Sequence, residues 1–343
     1  MAIKPNILLI YTGGTIGMVK DYKTGALRAF DFNNLRSRIP ELNQLDCNIK
    51  TISFEEPIDS SNMNLDNWAA IATIIETNYQ LADGFVVLTG SDTMSYTASA
   101  ISFMLENLSK PIVFTGSQLP IGDLRTDAKE NLITAIQIAS LQENNAPKIQ
   151  EVCLYFEYKL YRANRTTKIN AEHFEAFNSP NYPAIAESGV HLKVQNHLLH
   201  IADDKELVVR KKFNNNVVVL KLFPGISNHV IQTILNIKNL KGVILETYGS
   251  GNTSTNKEFI NLLSKAINKG IYIIDVTQCV SGSVSLGQYE TSTHLKELDV
   301  ISGKDITTEA AITKLMYLLN QNLTKKEFKI FFEKSLRGEM SDI

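Results

Sequence analysis

Short apolar runs alternate with longer amphipathic segments along most of this chain, and this alternation constrains its fold more than any other feature. In the first half, apolar residues recur at helical spacing over 64–79, 92–108 and 125–141. The strand-like runs around them are NILLIYT (6–12), DGFVVLTG (83–90), KPIVFTGS (110–117) and EVCLYF (151–156). Strands connected through helices pair in parallel and are covered on both faces. The sequence therefore predicts an α/β fold whose N-terminal domain is built on a doubly wound, mainly parallel sheet.

The alternation pauses around 180–215, which predicts a domain boundary. There GVHLKVQNHLLHIADD alternates apolar and polar residues around Gln-Asn, a pattern typical of a hairpin, and KKFNNN is predicted to be a connector. The alternation then resumes, with strands predicted at 217–223, 242–248 and 271–277 and helices at 226–235, 256–268, 292–299, 307–322 and 324–335. A chain of 343 residues is long for one domain. We predict an N-terminal domain over 1–200 that carries the catalytic residues, a connector over 201–215 and a smaller C-terminal α/β domain over 216–343.

Net charge and cysteine content exclude several kinds of partner. The formal net charge is -2 and the basic residues are dispersed, so neither nucleic acid nor a membrane surface is predicted as a partner. The three cysteines are far apart and form no CxxC pair, which argues against a disulfide framework and against a structural zinc site. No apolar run approaches membrane-spanning length. We predict a cytoplasmic protein that acts on a small molecule and holds no metal.

The position of the site follows from the predicted sheet. Open parallel sheets bind ligands beyond the carboxyl ends of their strands. Four segments should meet at that edge, namely 12–17, 89–93, 115–118 and 158–168. The candidate functional residues are therefore sought in these segments.

The segment YTGGTIGM (11–18) allows three interpretations. A phosphate-binding loop would need G-x-G-x-x-G followed at once by a helix, or a Gly-Lys-Ser/Thr ending, and neither is present. A nucleophile turn is a second interpretation, because glycines let a substrate approach closely and neighbouring N–H groups can bind an oxyanion. A plain tight turn, with the Thr15 hydroxyl bonded to its own loop, is the commonest role of an isolated threonine after a strand.

The segments GSDT (90–93) and YRANRTTK (161–168) supply groups that could activate such a hydroxyl. Ser91 and Asp92 place a hydroxyl beside a carboxylate, although both could instead cap the following helix. Lys168 could be a solvated surface charge, or it could lie beside Asp92 and help a hydroxyl lose its proton. A threonine or serine nucleophile needs such a neighbour.

The segment DSS (59–61) is a further candidate. Asp59, Ser60 and Ser61 suit the ammonium and carboxylate of an amino acid, and they equally suit a turn. Of the six histidines, His173 alone lies near these segments, and it belongs to a separate pattern. That argues against a Ser-His-Asp hydrolase.

Several of these motifs together resemble the bacterial type I, cytoplasmic L-asparaginases. The motifs that carry the resemblance are YTGGTIGM, DSSNM, DGFVVLTGSDTMSYTASAISFMLENLSKPIVFTGSQLP, LYRANRTTK, FPGIS, YGSGN and TQCVSG, and they extend over nearly the whole chain. The resemblance implies an amidohydrolase that converts L-asparagine to L-aspartate and ammonia, with a possible weak glutaminase activity. It implies no metal or organic cofactor, and a homodimer or homotetramer.

The resemblance also implies a role for each matching residue. Thr15 matches the nucleophile that forms an acyl-enzyme ester, and the Thr-Asp-Lys triad of the family falls on Ser91, Asp92 and Lys168. The substrate-binding residues it implies are Asp59, Ser60, Ser61, Ser91 and Asp92. Asn252 stands where the family completes the pocket from a neighbouring subunit.

This chain departs from the family pattern at four places. Ser91 replaces the usual threonine, and Thr89 replaces a histidine. The loop tyrosine of the family aligns with Ala26, so Tyr22, four residues earlier, is the candidate for its catalytic role on a mobile loop. Glu246 replaces an arginine that some members use for regulation by asparagine, so that regulation is not predicted.

Two other functions stay open at this stage. One is a non-catalytic paralogue that binds an amino acid. The other is the asparaginase-like subunit of a tRNA-dependent amidotransferase, which would need a partner chain and typically an additional N-terminal domain, whereas this chain begins directly at the first strand.

Overall fold

Eight strands between residues 6 and 194 form one sheet in the computed structural model, which describes residues 4–20, 27–29 and 39–342. In chain order they are β1 (Asn6–Tyr11), β2 (Asn48–Ser53), β3 (Gly84–Leu88), β4 (Ile112–Thr115), β5 (Val152–Phe156), β6 (Lys159–Arg162), β7 (Ala186–Glu187) and β8 (Lys193–Val194). They are arranged in the order 8-7-6-5-4-3-1-2. The strands β1 to β5 are parallel to one another, while β6, β7 and β8 add an antiparallel edge.

The strand order reverses at β1, and this reversal determines where a ligand can bind. The chain leaves β1 to one side towards β2 and then returns to place β3 on the other side of β1. The connections after β1 and β3 therefore diverge and leave a crevice at the carboxyl ends of these two strands.

In the described part of this unit, the helices are α1 (Leu65–Asn78), α2 (Met94–Met104) and α3 (Ala128–Ala139). Asn64 starts α1 with a capping box: its side chain accepts from the N–H groups of Asp66 and Asn67, and the Asn67 side chain accepts from the Asn64 N–H. Ile7, Leu9 and Tyr11 on one face of β1 share a buried cluster with apolar residues of α3. Burial of alternate strand residues under a helix is what the apolar runs of the sequence predict.

The second half of the chain has its own smaller sheet and its own core. The chain divides into two compact units, Met1–Lys211 and Lys212–Ile343. In the second unit the strands β9 (Val217–Lys221), β10 (Gly242–Thr247), β11 (Tyr272–Thr277) and β12 (Ile301–Ser302) pair in parallel in chain order. The helices are α4 (Asn228–Leu235), α5 (Lys257–Asn268), α6 (Glu290–Glu297), α7 (Thr308–Leu318) and α8 (Lys325–Glu333).

The predicted fold class, a mainly parallel α/β sheet followed by a smaller α/β unit, is confirmed. The predicted hairpin around Gln-Asn is wrong. β8 pairs antiparallel with the preceding β7, across a turn that contains Ser188 and Gly189, and Asn196–Leu198 forms a 3₁₀ turn. The alternating pattern does contain a strand, β8. This strand pairs through the turn that precedes it, not through a turn at Gln-Asn.

Short antiparallel strand pairs also form outside the main sheet. They join Met18–Lys20 to Leu27–Ala29, Leu105–Glu106 to Val208–Val209, Gln142–Glu143 to Ala146–Pro147, and Thr167–Lys168 to Phe177–Asn178. Across the described ranges, every helix is too short or too polar to cross a lipid bilayer.

Candidate active site

The loop after β1 packs against the loop after β3 at the reversal of strand order. Gly14 has a φ of 88°, and a Cβ added there would lie 2.3 Å from the backbone nitrogen of Gly90. Only glycine allows this approach, because any side chain would overlap the neighbouring backbone. The residues that follow these two glycines, Thr15 and Ser91, are thereby held at the same crevice.

Thr15 begins a single 3₁₀ turn, Thr15–Gly17, and is half-buried. The chain then continues as the extended segment Met18–Lys20. A dinucleotide-binding loop needs a helix N-terminus at this point to receive the phosphate. The local structure therefore lacks the element on which the phosphate interpretation depends.

The segment 59–61 lies beside the same two loops. The Ile58 N–H donates to the Thr12 carbonyl oxygen at 2.8 Å, and the Thr93 hydroxyl donates to the Ser60 carbonyl oxygen at 2.7 Å. Asp59 is exposed and caps the 3₁₀ turn Ser60–Asn62. Its Oδ1 accepts from the Ser61 N–H at 2.9 Å and from the Ser61 hydroxyl at 2.8 Å, and these bonds lower the pKa of the Asp59 carboxyl.

Lys168 joins the two polar residues that follow Gly90. Its Nζ lies 2.9 Å from Ser91 Oγ and 2.7 Å from Asp92 Oδ1. The Lys168 side chain is only 18% exposed, whereas that of Asp92 is 67% exposed. The ammonium is therefore largely buried next to the Ser91 hydroxyl, and the more exposed Asp92 carboxylate forms an ion pair with it.

These contacts decide between the alternatives for two segments. The helix α2 is preceded by Thr93, whose side chain makes no capping bond, and Ser91 and Asp92 bond Lys168 instead. Helix capping thus does not account for them, and Lys168 is not a solvated surface charge. Asp59, by contrast, does stabilise a turn, as the structural interpretation of that segment predicts.

Gln118 is a site residue that sequence reasoning did not single out. Its Oε1 accepts from Ser91 Oγ at 3.3 Å, and its Nε2 donates to the carbonyl oxygens of Ala171 at 3.3 Å and His173 at 3.0 Å. The segment 115–118 was predicted to lie at this edge because it follows β4. One feature of the sequence could have identified it. Gln118 is a polar residue directly after Thr-Gly-Ser at the end of a strand, as Asp92 is in the loop after β3.

The resemblance implies roles for two other residues, Tyr22 and Asn252. Tyr22 and the aligned Ala26 lie outside the described residues. Asn252 lies in the second unit, where its backbone pairs with Tyr248 and its Oδ1 accepts from the Thr291 hydroxyl at 2.7 Å. Within the described part of the chain, no group of three or more His, Cys, Asp or Glu side chains could hold a metal ion.

Two sequence models of known families match the chain. The one described as asparaginase, N-terminal, matches residues 6–200, and the one described as glutaminase/asparaginase C-terminal domain matches residues 216–332. Together they cover both units of the fold.

Individual relatives match nearly the whole length of this chain. The chain is 41% identical to L-asparaginase 1 of Escherichia coli K12 over 98% of both chains. It is 37% identical to a mouse protein named 60 kDa lysophospholipase, over 99% of this chain and 63% of that protein. Among solved structures, L-asparaginase I from Vibrio cholerae superposes with a TM-score of 0.90 at 38% identity, covering 99% of this chain and 100% of that one. This chain belongs to the asparaginase family.

Proposed function

We propose that this protein is an L-asparaginase that hydrolyses L-asparagine to L-aspartate and ammonia. Membership of the family and similarity to proteins named L-asparaginase support the reaction. The observation that carries the proposal to particular residues is the contact of the Lys168 ammonium with both Ser91 and Asp92 beside the Thr15 loop. The hydroxyl that this ammonium contacts is that of Ser91, and a neighbouring ammonium makes a hydroxyl easier to deprotonate. In this proposal Ser91 and Lys168 together supply the activating neighbour that the Thr15 nucleophile needs.

The proposed reaction has two displacement steps. In the first, Thr15 Oγ1 attacks the side-chain amide carbon, the C–N bond breaks, and ammonia leaves with the proton lost by the hydroxyl. In the second, water attacks the resulting aspartyl ester, the Thr15 oxygen recovers a proton, and aspartate is released. Backbone N–H groups near Gly90 and Ser91 would stabilise the oxyanion of each step, and loss of one such donor typically costs about 2.7–4 kcal/mol.

The segment 59–61 would bind the α-ammonium and α-carboxylate groups of the substrate. The Ser61 bonds lower the pKa of the Asp59 carboxyl, and the exposure of this carboxylate leaves it open to an incoming ammonium. The hydroxyl of Ser60 suits the α-carboxylate, and that of Ser61 would do so after turning from Asp59 Oδ1. Ser91 and Asp92 would contact the substrate from the opposite loop. The same proposal includes a cytoplasmic homodimer or homotetramer and a catalytic role for Tyr22, as the family resemblance implies.

Substitution of the nucleophile tests the reaction. Thr15→Ala should lower ammonia release from L-asparagine by about 10³-fold or more, because the residue acts as a unit with the groups that activate it. Thr15→Ser, which keeps the hydroxyl, is the matched control and should retain measurable turnover. L-glutamine should be hydrolysed more slowly than L-asparagine by the wild-type protein.

Three results would overturn the assignment. Unchanged turnover in Thr15→Ala would show that Thr15 is not the nucleophile. Calorimetric binding of L-asparagine or L-aspartate by the wild-type protein without ammonia release would favour the amino-acid-binding paralogue. Turnover that requires a second chain and tRNA would favour the amidotransferase subunit.

A further inference from the structure

We propose that Gln118 is a positioning residue that holds the Ser91 hydroxyl in one rotamer, with its proton directed away from the reacting groups. The inference concerns the same site and rests on the proposed function. Gln118 belongs to none of the residue sets implied by the family resemblance. It is identified here through its contacts with Ser91 and with the loop around His173.

The donor and acceptor roles around Ser91 can be assigned without ambiguity. A lysine ammonium only donates, so the Ser91 oxygen accepts from Lys168. The Gln118 amide nitrogen faces two backbone carbonyls, which only accept, so the amide must present its oxygen to Ser91. The Ser91 proton therefore points to Gln118 Oε1. One lone pair remains on Ser91 Oγ for the substrate, the nucleophile or the water.

Gln118 is itself held from both ends. Its backbone N–H donates to Asp127 at 2.9 and 3.2 Å, and the Leu119 N–H donates to the same buried carboxylate at 3.1 Å. On the other side, Asn170 Oδ1 accepts from the His173 N–H at 2.9 Å, which fixes the loop whose carbonyl Gln118 bonds. The amide is thus a rigid contact rather than a flexible surface group.

The serine side chain itself explains why such a contact matters. Threonine has two heavy atoms on Cβ and is stiff at χ1, whereas serine reaches three staggered rotamers with little preference. Some of these rotamers would take Oγ away from Lys168. Two hydrogen bonds, one to Lys168 and one to Gln118, select a single rotamer of Ser91. Gln118 thereby restrains a side chain that has no γ-methyl group to stiffen it.

The test is a double-mutant cycle between positions 118 and 91. Gln118→Met keeps the length of the side chain and removes its hydrogen bonds, and should lower kcat for L-asparagine about 10-fold with little change in KM. In the Ser91→Thr background, where the side chain is already stiff, the same substitution should lower kcat by less than about 3-fold. Gln150→Met is the matched control, since Gln150 also bonds two backbone groups, Pro147 and Ala202, and contacts none of the site residues named here. It should leave kcat unchanged.

Equal losses in the two backgrounds, or no loss in either, would overturn the proposal. Crystal structures provide a readout that does not need activity: Ser91 should occupy one rotamer in the wild-type protein and several in Gln118→Met. One rotamer in both would also overturn it. If the wild-type protein released no ammonia, the proposed function would fail while this structural arm would still decide the role of Gln118. Gln118→Ala, which keeps the backbone bonds to Asp127, serves if the methionine variant does not fold.

Discussion

Three loops meet at the crevice, those after β1 and β3 and the segment 59–61. They can pack this closely because single residues between them are small. Ser60 is 4% exposed, and a Cβ added to Gly90 would lie 2.4 Å from Ser60 Oγ and 2.7 Å from Ser60 Cβ. Real Cβ atoms do not approach other atoms so closely, so one of the two loops would have to move. The loop that carries Ser91 can therefore take this position only because Gly90 has no side chain.

Gly90→Ala should lower the free energy of unfolding by about 1–3 kcal/mol, because overpacking forces neighbouring atoms to shift. The loss should shrink in a Ser60→Gly background, where the opposing side chain is absent. Denaturant titration of the four proteins measures both effects.

Gly189→Ala is the matched control for this substitution. A Cβ at Gly189 would have its nearest neighbour, the His191 carbonyl oxygen, at 3.9 Å, an ordinary contact. We expect little change or a small gain in stability there. If Gly90→Ala proved as stable as Gly189→Ala, the close packing of the two loops would be refuted.

At the scale of elements, the sequence predicted the parallel strands well and the irregular ones poorly. The central strands β1, β3, β4 and β5 are buried on both faces, so each is a continuous apolar run that is easy to recognise. β2 was missed because it lies at the edge and alternates exposed with partly buried residues.

The site shows the same division. Thr15 and Ser91 could be placed because each follows a recognisable parallel strand, and the carboxyl ends of such strands share one edge. Lys168 reaches that edge through the two-residue pair Thr167–Lys168 with Phe177–Asn178, which is too short to leave a pattern. Gln118 was missed because its role depends on backbone carbonyls of a loop more than fifty residues away.

The strand β11 contains a buried carboxyl group that the proposed chemistry does not use. Asp275 is fully buried, and its Oδ1 accepts from the Thr247 hydroxyl at 2.6 Å. Burial raises the pKa of Asp275 from 3.8 to about 7, and the Thr247 bond opposes this only in part. Between these two pKa values the folded state binds more protons than the unfolded state. The free energy of unfolding should therefore fall as pH rises from about 4 to 7.

Asp275→Asn should remove this pH dependence, because the amide has the shape of the protonated acid and does not titrate. Relative to the wild-type protein, the variant should gain stability at pH 8, by at most about 4 kcal/mol for a shift of this size. At pH 4.5 most of that gain should vanish. Thermal unfolding at the two pH values measures it, and an equal difference at both would contradict the assignment of the shift to Asp275.

At the scale of the whole molecule, the chain holds two cores that can be probed separately. Apolar residues of the first unit and of the second unit form distinct buried clusters. The single tryptophan of the sequence, Trp68, lies in α1 of the first unit, where its indole N–H donates to the Thr97 hydroxyl at 3.1 Å. Its fluorescence reports on the first unit, whereas far-UV circular dichroism reports on the helices of both.

The second unit is fastened by a buried ion pair near the end of the chain. Lys314 on α7 and Glu339 both have fully buried side chains and lie 2.5 Å apart, and Lys314 Nζ also donates to the carbonyl oxygens of Phe332 and Lys334 at 2.7 Å. This one ammonium thus connects α7, the end of α8 and the segment beyond it.

Lys314→Met should lower the free energy of unfolding of the second unit by about 3–5 kcal/mol, because the Glu339 carboxylate is left buried without its partner. Since domains with separate cores can unfold separately, we expect the midpoint seen by circular dichroism to fall further than the midpoint seen by Trp68 fluorescence. Lys329→Met is the control, because it breaks a partly exposed pair with Asp299 that should contribute about 0–1 kcal/mol. Equal shifts of the two midpoints in Lys314→Met would show instead that the two units unfold as one.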